Sequence, residues 1–416
     1  MTILPNTELQ LHFLSLDIFL ILGELKTTMM KKYFALVILI FAARVFAQTD
    51  SSVVAKDSVQ TFNADVVTKI HLAAPIVSTP LYYGNKIFAV DNTGTVSCYD
   101  SAATLVWKTN LSVTITTKPM IADDVLVLGS VNGDIFAIDP KTGNQFQSIG
   151  LDRKISTEII PFSYQGNIAL AMPKSSESKT TILFGTEDGK IHCYDLETLQ
   201  EYWTNSDAKG TVSGMPVYVN NKILFTSSDG FLYCLDANNG LLIWRWKESA
   251  ESSFAGSNIL TDGKTVYAVS NDNVVFDIDL LLGKLAWRSK NINVLPPLNL
   301  SQDFKTLFVI TKDKKLMIVS AVQGKLVKDV KMDVQFDSTG SIAIENGKKI
   351  LFTRNGEIFQ LNEKFKEEPI ISLGAAQINY FIKIDDDKFL CSNLQGTVVI
   401  FKLRLSASAS QRRDEP

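Results

Sequence analysis

Histidine is the scarcest chemically versatile residue in this chain of 416 residues. Its three copies are His12, His71 and His192. Chemistry that needs several imidazoles, as metal ligands or as general bases, therefore has few places to occur. We expect no catalytic residue and no metal-binding residue in this chain.

Charge of one sign is not in excess either. Lysine and arginine total 41 against 44 aspartates and glutamates, and the formal net charge is -3. Such a balance creates no field that steers polyanions to the surface, so nucleic acid is not a predicted partner. Hydrophobic residues make up 46% and charged residues 20%, which excludes disorder, collagen and coiled coil as descriptions of the whole chain.

Long apolar runs are lacking except near the N-terminus. From Met30 a basic pair is followed by the apolar stretch 33–43 and by small residues at the -3 and -1 positions, Val45 and Ala47, which is the layout of a secretory signal peptide. The sequence predicts a signal peptide over 30–47, cleaved between Ala47 and Gln48. The apolar stretch is about half of the ~20 residues that a membrane span needs, which favours cleavage over the alternative, a permanent anchor.

The predicted signal peptide also indicates the compartment and the start of the chain. A signal peptide should begin a protein, so residues 1–29 are interpreted as a mis-called upstream extension. No cysteine follows the cleavage site, so the protein is not predicted to be a lipoprotein. We expect a periplasmic or secreted protein without a membrane span in its mature form, beginning with a flexible segment over 48–63.

The chain is repetitive. An apolar strand, a polar turn and a second strand recur, followed in the stronger copies by another turn and an outer strand, in residues 86–107, 125–146, 181–203, 222–244, 265–287, 306–327, 349–361 and 388–401. One turn position, which we call the register position, marks each repeat. It is occupied by Gly94, Gly133, Gly189, Gly230, Asn273, Lys314, Gly356 and Gly396. The spacings are 39, 56, 41, 43, 41, 42 and 40 residues, so eight repeats share a period near 41.

The repeats predict an all-β protein. Short runs rich in valine, isoleucine, phenylalanine and tyrosine are bounded by glycine, asparagine and aspartate, and glycine provides the positive φ of tight hairpins. With one more strand upstream, each repeat has four antiparallel strands, A to D, which indicates an eight-bladed β-propeller. The eighth repeat lacks strand D, and we expect the N-terminal segment 64–72 to supply it and close the ring. The propeller should span 64–405, followed by a disordered tail, 406–416.

Tryptophan identifies the type of repeat. Four of the five tryptophans stand 13 or 14 residues after the register position, and they are Trp107, Trp203, Trp244 and Trp287. An aspartate that ends strand C, a turn such as 139–144 and a tryptophan on the outer strand together resemble the PQQ-like repeat family. The resemblance covers residues 64–403, although Gln147 and Lys328 replace the tryptophan in two repeats.

The resemblance carries functional expectations. This family includes quinoprotein dehydrogenases and BamB-type outer-membrane assembly propellers, and the eight-bladed, signal-bearing chain is most similar to the non-enzymatic BamB type. The resemblance implies a monomeric protein-interaction scaffold that has envelope proteins as partners and binds no cofactor. The alternatives are a PQQ-dependent oxidoreductase, for which the expected adjacent cysteine pair is missing, and a sensor or carbohydrate-binding propeller.

Four other groups of residues are interpreted structurally. The isolated cysteines, Cys98, Cys193, Cys234 and Cys391, should be packing residues. The aspartates that end strand C, Asp100, Asp139, Asp195, Asp236 and Asp279, should bond to backbone NH groups of their turns. The run 385–387 is interpreted as a solvated turn rather than a calcium site. The spacing of 56 residues between Gly133 and Gly189, against a period near 41, indicates an insertion near 161–180. This insertion is either a tolerated surface loop or a binding loop.

Overall fold

The computed structural model describes residues 62–72, 74–76, 78–164, 179–333, 341–345, 348–374, 377–385, 387–393 and 395–405. Within these ranges every regular element is a β-strand, and the strands form eight separate four-stranded antiparallel sheets. The predicted eight-bladed β-propeller is confirmed.

The described fold begins with β1 (Phe62–His71), which belongs to blade 8. Blades 1 to 4 contain, in the order A to D, β2 (Leu81–Tyr83), β3 (Lys86–Val90), β4 (Thr95–Asp100), β5 (Leu105–Asn110); β6 (Met120–Ala122), β7 (Val125–Gly129), β8 (Asp134–Ile138), β9 (Gln145–Gly150); β10 (Ile160–Tyr164), β11 (Lys179–Gly185), β12 (Ile191–Asp195), β13 (Glu201–Asn205); and β14 (Val212–Val219), β15 (Lys222–Ser227), β16 (Leu232–Asp236), β17 (Leu242–Trp246). Blades 5 to 8 contain β18 (Leu260–Thr261), β19 (Thr265–Val269), β20 (Val275–Asp279), β21 (Leu285–Arg288); β22 (Val294–Leu300), β23 (Thr306–Thr311), β24 (Lys315–Ser320), β25 (Leu326–Lys331); β26 (Ser341–Glu345), β27 (Lys348–Phe352), β28 (Glu357–Leu361), β29 (Glu367–Ser372); and β30 (Ile378–Lys383), β31 (Lys388–Asn393), β32 (Thr397–Leu405), with β1 as strand D.

Burial shows how the four strands of a blade are placed. The B strands, such as β3, and several C strands, such as β8, are mainly apolar runs that are covered on both faces by neighbouring blades. The D strands β5, β9, β17, β21 and β25 are largely exposed. Several A strands contact the A strand of the next blade, as β6 contacts β10 and β22 contacts β26. Strand A therefore lines the central axis and strand D forms the outer rim.

The N-terminal strand closes the ring, as predicted. β1 pairs antiparallel with β32, from Phe62 opposite Leu405 to His71 opposite Thr397. The strand begins at Phe62, two residues before the predicted start at Ala64, because the Phe62 side chain is buried in a core cluster with Phe401 and Leu403. The two ends of the described fold thus share one blade, and β1 covers the outer edge of β32.

The turns between strands B and C have the backbone conformation that glycine favours. All six predicted turn glycines have φ between 77° and 91°, and Asn273 and Lys314 adopt 60° and 61° at the same place. At Gly94 a Cβ atom would collide with the backbone carbonyl oxygen of Val113 in the connection to the next blade. Glycine is therefore required at Gly94 by both backbone conformation and space.

The four repeat tryptophans join neighbouring blades. Each indole NH donates to a carbonyl oxygen in the C–D turn of the next blade: Trp107 to Pro140 at 3.1 Å, Trp203 to Ala237 at 3.1 Å, Trp244 to Leu280 at 3.0 Å and Trp287 to Ala321 at 2.8 Å. A glycine of the same turn lies against each indole ring; these glycines are Gly143, Gly240, Gly283 and Gly324. We call this contact the blade dock.

Blades without the tryptophan use other side chains at the blade dock. Gln147 of β9 donates to the Thr198 carbonyl oxygen at 2.6 Å, and the ammonium group of Lys328 lies 4.8 Å from the Phe365 ring centre. In blade 8, Thr68 of the closing strand donates to the Ser101 carbonyl oxygen at 2.9 Å. The closing strand therefore contacts the C–D turn of blade 1 as the outer strands of the other blades contact their neighbours.

The blade dock can be tested with two glycines of equal conformation. Gly283 and Gly374 have φ of 62° and 61°, but an added Cβ at Gly283 would lie 2.6 Å from Trp244 Cγ, whereas Gly374 has open space. Alanine disfavours the left-handed conformation, so both alanine variants should lower the free energy of unfolding by about 1–2 kcal/mol. Gly283→Ala should lower it by about 1–3 kcal/mol more because the indole must move. Urea unfolding of both variants measures the difference, and equal losses would contradict the blade dock.

Candidate functional site

Two of the three histidines, His71 and His192, have structural partners, and His12 lies outside the described residues. His192 on β12 stacks on Phe184 with ring centres 5.2 Å apart, and its Nδ1 lies 2.9 Å from Thr204 Oγ1 and 3.2 Å from Glu201 Oε2. Its Nε2 lies 3.3 Å from Thr186 Oγ1, and burial lowers its pKa. Both ring nitrogens are thus engaged inside blade 3. His71 Nδ1 lies 3.3 Å from Thr397 Oγ1 on the closing pair of strands.

The cysteines are packing residues, as interpreted from the sequence. All four are free and buried. Burial raises the pKa of Cys98 to about 11 and those of Cys193, Cys234 and Cys391 to about 12, so the nucleophilic thiolate is disfavoured at each position. Cys98, Cys193 and Cys234 stand opposite the tryptophan of their own blade and belong to the cores that join neighbouring blades.

The aspartates at the end of strand C cap their turns, which confirms the sequence interpretation. Asp100 Oδ1 accepts from the NH groups of Ala102 and Thr104 at 2.9 and 2.8 Å. Asp139, Asp195, Asp236 and Asp279 accept from backbone NH groups of their own turns in the same way. These carboxylates are therefore occupied by the backbone.

The acidic run 385–387 forms ion pairs at its two described members. Asp385 pairs with Lys388 at 3.0 Å and Asp387 pairs with Arg404 at 3.1 Å, while Asp386 lies outside the described residues. Across the part of the chain that the structure describes, no group of three or more His, Cys, Asp or Glu side chains is placed to hold a metal ion.

The predicted insertion lies in the connection between β10 and β11. Residues 165–178 of this connection are outside the described residues, whereas Pro161 and Thr180 belong to the two strands. The connection joins strands A and B, so it leaves blade 3 on the same side as the C–D turns.

Within the described ranges, no helix has the length and hydrophobicity that crossing a membrane requires.

The inner wall of the ring is irregular at blades 4 to 6. Strand A of blade 5, β18, has two residues, whereas its neighbours β14 and β22 are long and carry bulges between Ser213 and Val217 and between Leu295 and Asn299. Glycine and proline at these bulges explain the break in pairing, because proline lacks the NH that a ladder requires. The short strand leaves space between blades 5 and 6 that the sequence did not predict.

Two cavities occupy this space, one toward each face of the disc. The first, of about 190 Å³, lies at the B–C turns and is lined by Ser257, Asn258, Asn271 and Lys312 among others. The second, of about 290 Å³, is more apolar and includes Leu260, Leu300, Phe304 and Phe308. Leu298 lines both cavities. Hydroxyl, amide and ammonium groups thus surround the first cavity, and this donor set suits carbonyl or carboxylate oxygens of a ligand.

A buried acid lies in the same pair of blades. Asp277 on β20 occupies the register position of the cysteines, between Tyr267 and Trp287, and its side chain is 3% exposed. Its Oδ1 has no hydrogen-bond partner among the described residues. Burial, and then the nearby charges of Asp262 and Asp279, raise the pKa of Asp277 to about 7. Sequence reasoning overlooked this residue, although an acid at a position that is cysteine in three other blades was a visible signal.

The chain resembles known proteins in sequence. The family model described as outer membrane protein assembly factor BamB matches residues 42–159 and 178–364. BamB from Burkholderia pseudomallei is 21% identical over 198 residues, which are 45% of this chain and 48% of that protein. The chain thus spans about half the length of the curated relatives it matches.

Solved structures show the same fold at lower sequence identity. BamB from Moraxella catarrhalis is 17% identical with a TM-score of 0.63, covering 82% of this chain and 97% of that one. Sqt1 from Saccharomyces cerevisiae is 11% identical with a TM-score of 0.65, covering 82% of this chain and 99% of that one. Propellers with unrelated names fit equally well, so the shape alone does not give a function.

The raised pKa of Asp277 predicts a pH-dependent stability. The folded chain holds this proton up to about pH 7, whereas the unfolded chain releases it near about pH 4, so stability falls as pH rises between these values. Asp277→Asn removes the buried acid, and its stability advantage over the parent should grow by about 3 kcal/mol at most between about pH 5 and about pH 8.

Thermal melting at the two pH values measures this change. Asp65→Asn is the control for the loss of a carboxylate as such, because Asp65 is exposed on β1. An advantage of Asp277→Asn that is the same at both pH values would contradict a protonated acid between blades 5 and 6.

Proposed function

Because the chain belongs to the BamB family of outer-membrane protein assembly factors, we propose that it is a protein-interaction scaffold in the assembly of outer-membrane proteins. The observation that carries the proposal is the family match across both halves of an eight-bladed ring. Its partners are other proteins of the cell envelope, and the predicted signal peptide 30–47 delivers it to the periplasm, where it acts.

The blade docks support a scaffold. They recur around the ring and lock C–D turns against neighbouring outer strands, for example through Trp244 and Leu280. Loops held on such a frame keep fixed relative positions, which reduces the entropy lost when a partner binds.

The cavities between blades 5 and 6 support a protein partner over an enclosed cofactor. At about 190 and 290 Å³ they are smaller than the roughly 300–1,000 Å³ of usual small-molecule sites, whereas single side chains or chain ends of a partner fit such spaces. The first cavity is lined by Asn271, an exposed residue in a B–C turn, and by Lys312. We propose that this part of the B–C face contacts the partner and that the protein works without a cofactor.

Site-specific photo-cross-linking in intact envelopes tests the scaffold. A photoreactive residue at Asn271 should capture components of the outer-membrane assembly machinery, identified by mass spectrometry. The same residue at Ser148, on the outer strand of blade 2, is the control and should capture them at least about tenfold less, because contact at an interface is local. Equal capture at both positions, or no assembly component at either, would contradict the proposed surface.

Quinone titration tests the proposal that no cofactor is needed. Equilibrium dialysis of the protein against pyrroloquinoline quinone measures binding directly, since the repeat tryptophans stand on outer strands and do not line the central channel. We expect no saturable binding of the quinone. Saturable binding in the micromolar range would instead support the oxidoreductase alternative.

A further inference from the structure

The outer rim of blades 4 to 6 exposes large apolar side chains. Three of the most exposed are at the C–D turns: Val322 is 71% exposed, Leu281 67% and Leu241 65%. The rest of this set is Leu242, Ile243, Leu282, Leu285, Leu326 and Val327. We call these nine residues the apolar rim. Exposed apolar residues that cluster in this way mark interaction sites, whereas isolated ones are ordinary.

The blade docks make the apolar rim continuous across three blades. Leu282 precedes Gly283, which lies against Trp244 of the preceding blade, and Val322 stands two residues before Gly324, which lies against Trp287. Each apolar turn is therefore seated beside the outer strand of the blade before it. Apolar residues of the C–D turns therefore lie next to the outer strands of the preceding blades, and no polar blade interrupts the apolar rim.

The same rim is positively charged. Residues 237–248, 280–293 and 321–333 contain eight basic residues and three acidic ones, although the whole chain carries a net charge of -3. The corresponding segment of blade 3, residues 196–209, contains one basic and three acidic residues. Basic and apolar residues thus coincide on blades 4 to 6 and not on blade 3.

Several of these cations remain available to a partner. Arg288 pairs with Glu248, and Lys328 lies over Phe365. Lys284, Lys290 and Lys325 are exposed, and none of them forms an ion pair within the ranges that the structure describes. Lys284 and Lys325 stand two or three residues after the protruding turn residues Leu281, Leu282 and Val322, and Lys290 follows the end of β21.

We propose that the apolar rim binds an anionic phospholipid surface. Protruding leucine and valine side chains insert at the boundary between headgroups and acyl chains, and the flanking ammonium groups contact lipid phosphates. The described cavities lie on the inner wall of the ring, whereas the rim is its outer circumference, which suits a broad surface better than an extended peptide. This inference does not depend on the proposed role in protein assembly.

Vesicle flotation with the full chain tests the proposal. The vesicles contain equimolar phosphatidylglycerol and phosphatidylethanolamine, and vesicles of phosphatidylcholine provide the neutral comparison. A variant with Leu281→Ser, Leu282→Ser and Val322→Ser should bind the anionic vesicles about tenfold or more weakly. A variant with Lys284→Glu and Lys290→Glu should lose a similar factor and remove the preference for anionic over neutral vesicles.

A matched variant controls for the loss of exposed apolar residues as such. Leu105, Val106 and Phe146 lie on the rims of blades 1 and 2 and are also exposed large apolar residues, at 46%, 46% and 55%. Their replacement by serine should leave flotation unchanged. All variants share the N-terminal residues, so these residues cannot cause a difference in binding among the variants. All variants should also keep the parent melting temperature. Equal losses in this control, or no loss in the two rim variants, would overturn the proposal. So would rim variants that lose cross-linked protein partners but keep full vesicle binding, because the rim would then be a protein-binding surface.

Discussion

The contact between an outer strand and the C–D turn of the next blade is the interaction on which the ring depends. A propeller blade is an open sheet with two apolar faces, and it is stable only when both faces are covered. In four places the indole of one blade packs on a glycine of the next and donates to a carbonyl oxygen of the same turn, as in Trp203 with Gly240 and Ala237. The turn glycine is thus required by a side chain of another blade. Replacement of the tryptophan therefore removes the requirement for glycine in the turn that it faces.

Three other junctions show this coupling. Blade 2 has Gln147 in place of tryptophan, and the turn it faces has Leu199 in place of glycine, with φ of 52°. Blade 6 has Lys328, and the turn it faces has Phe365, which offers its ring to the ammonium group. Glycine disappears where the indole disappears, because a smaller or more flexible partner leaves room for a Cβ atom. The closing strand uses Thr68 at the equivalent place, so the first and last blades are joined by the same kind of contact.

Periodicity predicted the number of blades, the strand order and the closing strand, because each depends on local patterns that repeat near every 41 residues. The blade dock was not predicted, since its partners are 33 to 36 residues apart and belong to different repeats. The paired loss of tryptophan and glycine was the available signal. The cavities between blades 5 and 6 depend on a strand A of two residues between bulged neighbours, and strand length at the axis is set by packing among blades. Asp277 was visible as an odd residue in its register, but its pKa depends on burial that only the assembled ring provides.

Hydrogen exchange across the closing junction tests this account most directly. Ile70 of β1 is buried and packs with Ile87 of blade 1 and with Leu390 of blade 8, so Ile70→Ala removes apolar contacts with both blades. If contacts between neighbours hold the ring together, backbone exchange should accelerate in the strands of blades 1 and 8 together, while blades 3 to 5 keep their protection. Acceleration confined to β1 would contradict the account, because it would mean that each blade is stable without its neighbour.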